Sequence, residues 1–246
     1  MLLIGVDCAA NPRNVGVALG TLNNNHVHVS GVFSGRNRHE IVERIADAIR
    51  EAHGPVLLCL DAPLGWPRAL GDELHTHIAG ASLEASADRL FSRETDRFVR
   101  QALGKRPLEV GANFIARTAR ATLDLLESLR EATGQAIPLG WQPLSDSDGA
   151  AALETYPAAV LSCRGLAMPC YKKDHAKREH VLASLAEELH VSDDIHTRTL
   201  ATEHALDAAL CLLAGADFQR GLALAPPKPL REAAMKEGWI WVRGKK

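Results

Sequence analysis

The chain has 246 residues, 46% of them hydrophobic and 24% charged, with 28 Lys and Arg against 30 Asp and Glu for a net charge of −2. A chain of this length buries about 70–75% of the surface its unfolded form exposes, so its core needs neither disulfides nor a structural metal. The composition excludes a disordered polyelectrolyte, and near-neutrality excludes global attraction to nucleic acid or anionic lipid, so any polyanion site must be a local patch.

Residues 2–6 (LLIGV) predict a strand closing on Asp7, and residues 15–20 (VGVALG) predict a second after the turn residues Asn11, Pro12 and Asn14. Residues 26–33 alternate through Val27 and Val29 behind a run of three asparagines, so the opening reads as a three-strand meander. Ile41, Ile45, Ala48, Ile49 and Ala52 form one helical stripe, stopped by Gly54-Pro55. Residues 56–60 (VLLCL) read as a strand buried on both faces, ending at Asp61. Residues 66–145 read as a mostly helical insertion whose clearest element is an amphipathic helix over 113–132, and 134–149 are loop-like. A short strand over 150–155 carries Glu154 and stops at Pro157, and a helix follows over 174–190. The helix over 200–214 is apolar almost all round, the mark of a buried helix, and residues 239–242 read as an edge strand. The expectation is a single α/β domain over residues 1–246, built on a mixed sheet in the order β-β-β-α-β, then a further strand and helices.

The longest purely apolar runs, such as 56–60, are far short of the ~20 residues a membrane helix needs. The opening MLLIGVD lacks the basic stretch of a secretory leader, so the expected location is cytoplasmic, with no membrane partner. Five scattered cysteines without a C-x-x-C indicate neither a disulfide framework nor a zinc ribbon. The histidine pairs His26/His28 and His75/His77 suit one face of a strand but match no H-E-x-x-H motif. The glycine-loop and G-x-S-x-G motifs are absent, which lowers kinase, dehydrogenase and esterase readings together.

Three acids sit where folds usually avoid them. Asp7 and Asp61 each end an apolar strand, and Asp207 interrupts an apolar helix three residues after His204, on the same helical face. Burying an unpaired carboxylate costs several kcal/mol, so each needs a partner, a proton or a cation. If the first and fourth strands are parallel neighbours, Asp7 and Asp61 converge at their carboxyl ends, where α/β sheets bind ligands. Glu154 is placed to join them. Oxygen donors in threes and fours suit Mg²⁺ or Mn²⁺, which activate water in phosphodiester cleavage. The structural alternative is that Asp7 or Asp61 caps a turn and that Asp207 pairs with an arginine.

The blocks Gly5-Val6-Asp7-Cys8-Ala9, Leu60-Asp61-Ala62-Pro63-Leu64-Gly65, Arg93-Glu94-Thr95-Asp96-Arg97, Glu154-Thr155-Tyr156-Pro157, His204-Ala205-Leu206-Asp207-Ala208 and Glu237-Gly238-Trp239-Ile240 span nearly the whole chain. Together and in this order they resemble domain-of-unknown-function family 429, described as predicted nucleases of the ribonuclease H-like superfamily. The resemblance implies a ribonuclease H-like fold with metal ligands at Asp7, Asp61 and Asp207, and Glu154 as a fourth acid. It implies fold more strongly than activity.

Arg89, Arg93, Arg97 and Arg100 recur at helical spacing and would form one basic stripe if the stretch were a single helix. Such a stripe tracks phosphates or, alternatively, is a solvated face paired to Glu94 and Asp96. The R-x-T-D block of the resemblance places Arg93, Thr95, Asp96 and Arg97 on the substrate side. Trp66, in a stiff loop between Pro63 and Pro67, offers a stacking face for a base or a plug for the core. Lys172, Lys173, Lys177 and Arg178 form a second basic cluster, read as solvated surface or a substrate contact.

The leading expectation is a divalent-metal-dependent nuclease or phosphodiesterase acting on nucleic acid. Asp7, Asp61 and Asp207 serve as ligands, Glu154 as a ligand or water positioner, and His204 as a general base or orienter. One rival is a non-catalytic binding module that retains the fold. The other is an actin-like phosphotransferase, which would need a second copy of the β-β-β-α-β unit.

Overall fold

The computed structural model describes residues 1–111 and 114–244. Six strands, β1 (Leu2–Asp7), β2 (Gly16–Asn23), β3 (His26–Ser34), β4 (Val56–Asp61), β5 (Ala150–Glu154) and β6 (Leu189–Val191), form one mixed sheet in the order β5-β4-β1-β2-β3-β6. The meander β1-β2-β3 is antiparallel, while β4 runs parallel to β1, β5 to β4 and β6 to β3. The chain is thus a mixed α/β protein with a single such sheet among the described residues.

Alternation along the central strands sends side chains into two cores. Leu3, Ala18, Leu57 and Cys59 face a layer containing α9 (Glu203–Gln219), together with residues of α6 (Pro157–Cys163), α7 (His175–Ser184) and α8 (Asp193–Leu200). Ile4, Val6, Val17, Leu58 and Leu60 face α1 (Arg38–Glu51) and α5 (Ile115–Thr133). β1 and β4 are therefore covered on both sides, which is why their sequences are continuously apolar.

α1 begins where the Asn37 side chain accepts from the Glu40 N–H and presents Ile41, Ile45 and Ile49 inward, as its periodicity predicts. Residue 113, where the sequence opens the long amphipathic helix, lies outside the described residues; α5 runs from Ile115 to an αL Gly134. Between β4 and β5 lie α2 (Arg68–Leu74), α3 (Ala87–Phe91), α4 (Glu94–Leu103) and α5, which occupy the expected helical insertion.

Four expectations change. Pro157 opens helix α6 at its first turn, where its missing N–H costs nothing, rather than only ending a strand. The helix expected over 174–190 ends at Ser184, and Leu189–Val191 pairs with β3 as the short strand β6. Three residues are too few for a period to distinguish strand from helix. Residues 239–242 form no edge strand but a buried tail, touching the sheet through an isolated bridge between Glu154 and Ile240. Arg89 and Arg93 do not share a helix, because α3 ends at Phe91 and Arg93 precedes α4.

α9 carries a capping Thr202 whose hydroxyl accepts from the Ala205 N–H, and every residue from 205 to 218 is buried. It lies directly on β1 and β2 because glycines remove the side chains that would hold it away. A Cβ at Gly5 would overlap the Ala208 carbonyl oxygen, and one at Gly16 would overlap that of His204. No helix among the described residues is long and apolar enough to cross a membrane.

Because a backbone carbonyl cannot rotate aside, Gly5→Ala is expected to push α9 off the sheet. The destabilisation is about 1–3 kcal/mol, the usual cost of overpacking, read as a lower urea midpoint at unchanged slope. An unchanged midpoint would show that the helix steps back freely.

Candidate metal centre

The parallel register of β1 and β4 sets Asp7 directly beside Asp61 at the carboxyl end of both strands. The close seating of α9 brings Asp207 to the same point. One carboxylate oxygen from each of the three lies within 4.8 Å of the others, the only such group of potential ligands among the described residues. Asp207 is completely buried and Asp7 nearly so, while Asp61 stays partly exposed in a cleft of about 310 Å³. That cleft is lined also by Cys8, Pro63, Thr155, Tyr156 and Lys172, and by Leu108 and Ile115 from the insertion side.

Each buried oxygen has a defined neighbour. The Tyr171 hydroxyl donates to Asp207 Oδ1 at 2.6 Å, and Lys172 Nζ lies 2.6 Å from Asp207 Oδ2. Oδ2 is fully buried and faces that ammonium. His204 Nδ1 lies 2.5 Å from Asp7 Oδ2. With Nδ1–H as donor, this contact orients the ring and holds Asp7, as outer-shell histidine and carboxylate pairs do around metals.

Burial, then the charges of Asp7 and Asp207, push the Asp61 carboxyl well above the usual carboxylate range. Burial raises Asp207 too, and Lys172 only partly offsets it. For Lys172 burial acts downward, but Asp207, Asp61 and Asp7 outweigh it and hold the ammonium charged. The hydrogen bond to Asp7 holds His204 above its ordinary value. Four acidic and basic groups in one place with displaced titration are the electrostatic pattern of functional sites.

Glu154 is not in the group of three acids. It pairs in register with Leu60, not Asp61, so the pleat turns its side chain to the opposite face of the sheet from Asp61. There its two oxygens meet the Arg93 guanidinium at 2.6 and 2.8 Å, and Oε2 also accepts from the Leu64 N–H. Arg93 donates further to Asp96 and to the Glu237 carbonyl, and it is 1% exposed. Thr95 Oγ1 accepts from the Ile240 N–H, and Glu237 accepts from the Arg68 and Glu94 N–H groups. Arg93, Thr95 and Asp96 thus knit the insertion, the end of β5 and residues 237–240 together, and Arg93 and Glu154 line the cleft from behind. Arg97 is partly exposed and paired with Glu94 and Asp88, and Trp66 is partly exposed.

Two residues at the site escaped sequence reasoning as individuals. Tyr171 gave no signal, being a lone aromatic in a short 3-10 turn, and Lys172 was visible only as one member of a basic run. Asp217 is a second buried acid on α9, but it faces Arg164 and Arg243 and lies outside the cluster.

Two predictions follow from these pairings. A carboxyl raised in the folded state opposes folding once pH rises above its unfolded range, because the chain must then hold a charge it would rather neutralise. Asp61→Asn is therefore expected to raise the metal-free melting temperature at pH 8 by a few degrees, the scale of about 1 kcal/mol in a chain of this size. The gain should fade as pH falls towards the unfolded carboxyl's own range and vanish below it, where the carboxyl is protonated folded or unfolded; a loss at pH 8 would mark Asp61 as structural. Arg93→Ala strands Glu154 and Asp96 as buried carboxylates and should cost about 3–5 kcal/mol in urea unfolding. Arg93→Met combined with Glu154→Gln should recover part of that loss.

Comparison with known proteins adds a family. The model of the family described as "Protein of unknown function (DUF429)" matches residues 5–231, a span that includes the end of β1, all of β4 and all three clustered acids. No curated protein matches the chain. With most of its length covered by that match, the chain belongs to the DUF429 family.

Proposed function

We propose that the protein is a divalent-metal-dependent phosphodiesterase acting on nucleic acid, with a ribonuclease H-like arrangement of its β-β-β-α-β core. The observation that carries this reading is the meeting of Asp7, Asp61 and Asp207, one carboxylate oxygen from each lying within 4.8 Å of the others. An all-oxygen donor set of this size fits a hard cation such as Mg²⁺ or Mn²⁺. Asp7, Asp61 and Asp207 are the residues that would hold it. A bound ion of this kind polarises phosphoryl oxygen and lowers the pKa of water at neutral pH.

The chain supplies the rest. His204 orients Asp7 through its Nδ1 contact, and its partly exposed ring sits beside the acids as a proton acceptor or donor. Tyr171, kept protonated by burial and by Asp207, fixes the third carboxylate as a hydrogen-bond donor. Lys172 presents a half-exposed ammonium to the cleft, a point charge suited to a phosphate oxygen. Leu108, Ile115 and Tyr156 give the cleft apolar and aromatic walls against which a base or sugar packs. The Arg93, Thr95 and Asp96 block acts here as the frame that fixes the back of the cleft.

The rival reading is a binding module without catalysis. It draws on the fact that Lys172 and His204 already supply partners to two of the acids. Mn²⁺ titration by calorimetry separates the two. Wild type is expected to bind Mn²⁺ saturably, and Asp7→Asn to lose at least tenfold in affinity while keeping its fold by circular dichroism. Release of nucleotides from RNA or DNA oligomers should then require the metal and Asp7. Absence of Mn²⁺ binding by wild type, with and without a short oligonucleotide, would leave the binding module as the better account.

A further inference from the structure

We infer that the acid cluster takes one divalent cation rather than two, because Lys172 occupies the second cation place. The inference rests on the metal reading above and specifies its stoichiometry and the partner of its substrate.

Oxygen accounting supports it. Asp207 spends Oδ1 on Tyr171 and Oδ2 on Lys172, and Asp7 spends Oδ2 on His204. Among the described residues, neither Asp7 Oδ1 nor the Asp61 carboxylate has a cationic partner. These oxygens, adjacent through the strand register, are the ones left free of a cation, and an ion on them would complete its ligand set with Asp207 beside Lys172. A second ion would have to take Asp207 Oδ2 from an ammonium 2.6 Å away.

The placement of Lys172 agrees. Its side chain remains about half exposed, on a short turn over Tyr171–Lys173, and it lines the same cleft as Asp61. The ammonium therefore stands between the acids and the open cleft, in reach of a phosphate ester held there. In this arrangement Lys172 gives the phosphoryl group the second positive charge that a second ion would otherwise give.

The test counts ions on the full chain. Calorimetric titration with Mn²⁺ is expected to give one ion per wild-type chain, and electron paramagnetic resonance of the saturated protein an uncoupled Mn²⁺ signal. Lys172→Gln is expected to admit a second ion, seen as a doubled stoichiometry and a spin-coupled pair. Its metal-free melting temperature should fall, and saturating Mn²⁺ should restore it. Lys172→Arg, which keeps the charge, should still bind one. Two ions in wild type, or one in a folded Lys172→Gln, would overturn the inference and leave the metal reading standing. Failure of wild type to bind Mn²⁺ at all would instead remove the metal reading. Should Lys172→Gln not fold, the wild-type count and the coupling of its signal still decide.

Discussion

Carboxylates crowded into a dry place repel each other, and much of the local architecture around Asp7, Asp61 and Asp207 can be understood as a response to that repulsion. The three come from two strand ends and a helix, and no pair of them is near in sequence. Their separation is set by backbone contacts: the register of β1 against β4, and the bare glycine surface on which α9 rests. Side-chain flexibility cannot relax such a cluster, because strand and helix positions are fixed by cores on both faces. What remains is compensation by charge, which Lys172, His204 and the Tyr171 hydroxyl provide in part. A site left partly compensated in this way costs stability where it stands.

The Arg93 network solves a different problem with the same chemistry. Glu154, Asp96 and the guanidinium form a pair of buried contacts that satisfy one another and also accept or donate to backbone groups. Nothing in that network is left for a ligand ion. Its effect is to lock the entrance of α4, the end of β5 and residues 237–240 to one another, so that the wall of the cleft is rigid where the acids need a fixed distance. The contrast between the two clusters is one of completeness: both contain buried acids, but in the first, among the described residues, Asp61 has no cationic partner.

Much of this was legible beforehand, and the parts that were not have physical reasons. Asp7 and Asp61 stood out because each ends a run of apolar residues that only a doubly covered strand can use. Asp207 stood out because its helix had no polar face. Asp217 lies on the same helix beyond the end expected at 214, and it pairs with Arg164 and Arg243. Glu154 was placed with the acids because it sits at a strand end, but strand order and register decide which face a residue meets, and register is a long-range property. Had Thr155 and Glu154 exchanged places, the fourth acid would have pointed towards α9, where Thr155 now donates to Cys211. Arg93 read as exposed because basic residues at helical spacing usually are; the break between α3 and α4 that buries it comes from tertiary contacts.

The distance along the chain between the acids has a consequence in time. Asp7 and Asp61 are made early, and the sheet that aligns them can begin to form while later residues are still being synthesised. Asp207 arrives only with α9, and the Glu237 and Ile240 contacts that brace the cleft come later still. A growing chain therefore holds two of the three acids and neither Tyr171 nor Lys172 until more than two-thirds of it has emerged. The centre is completed only once α9 has been synthesised, so an unfinished or truncated chain displays the strands of the site without its third acid.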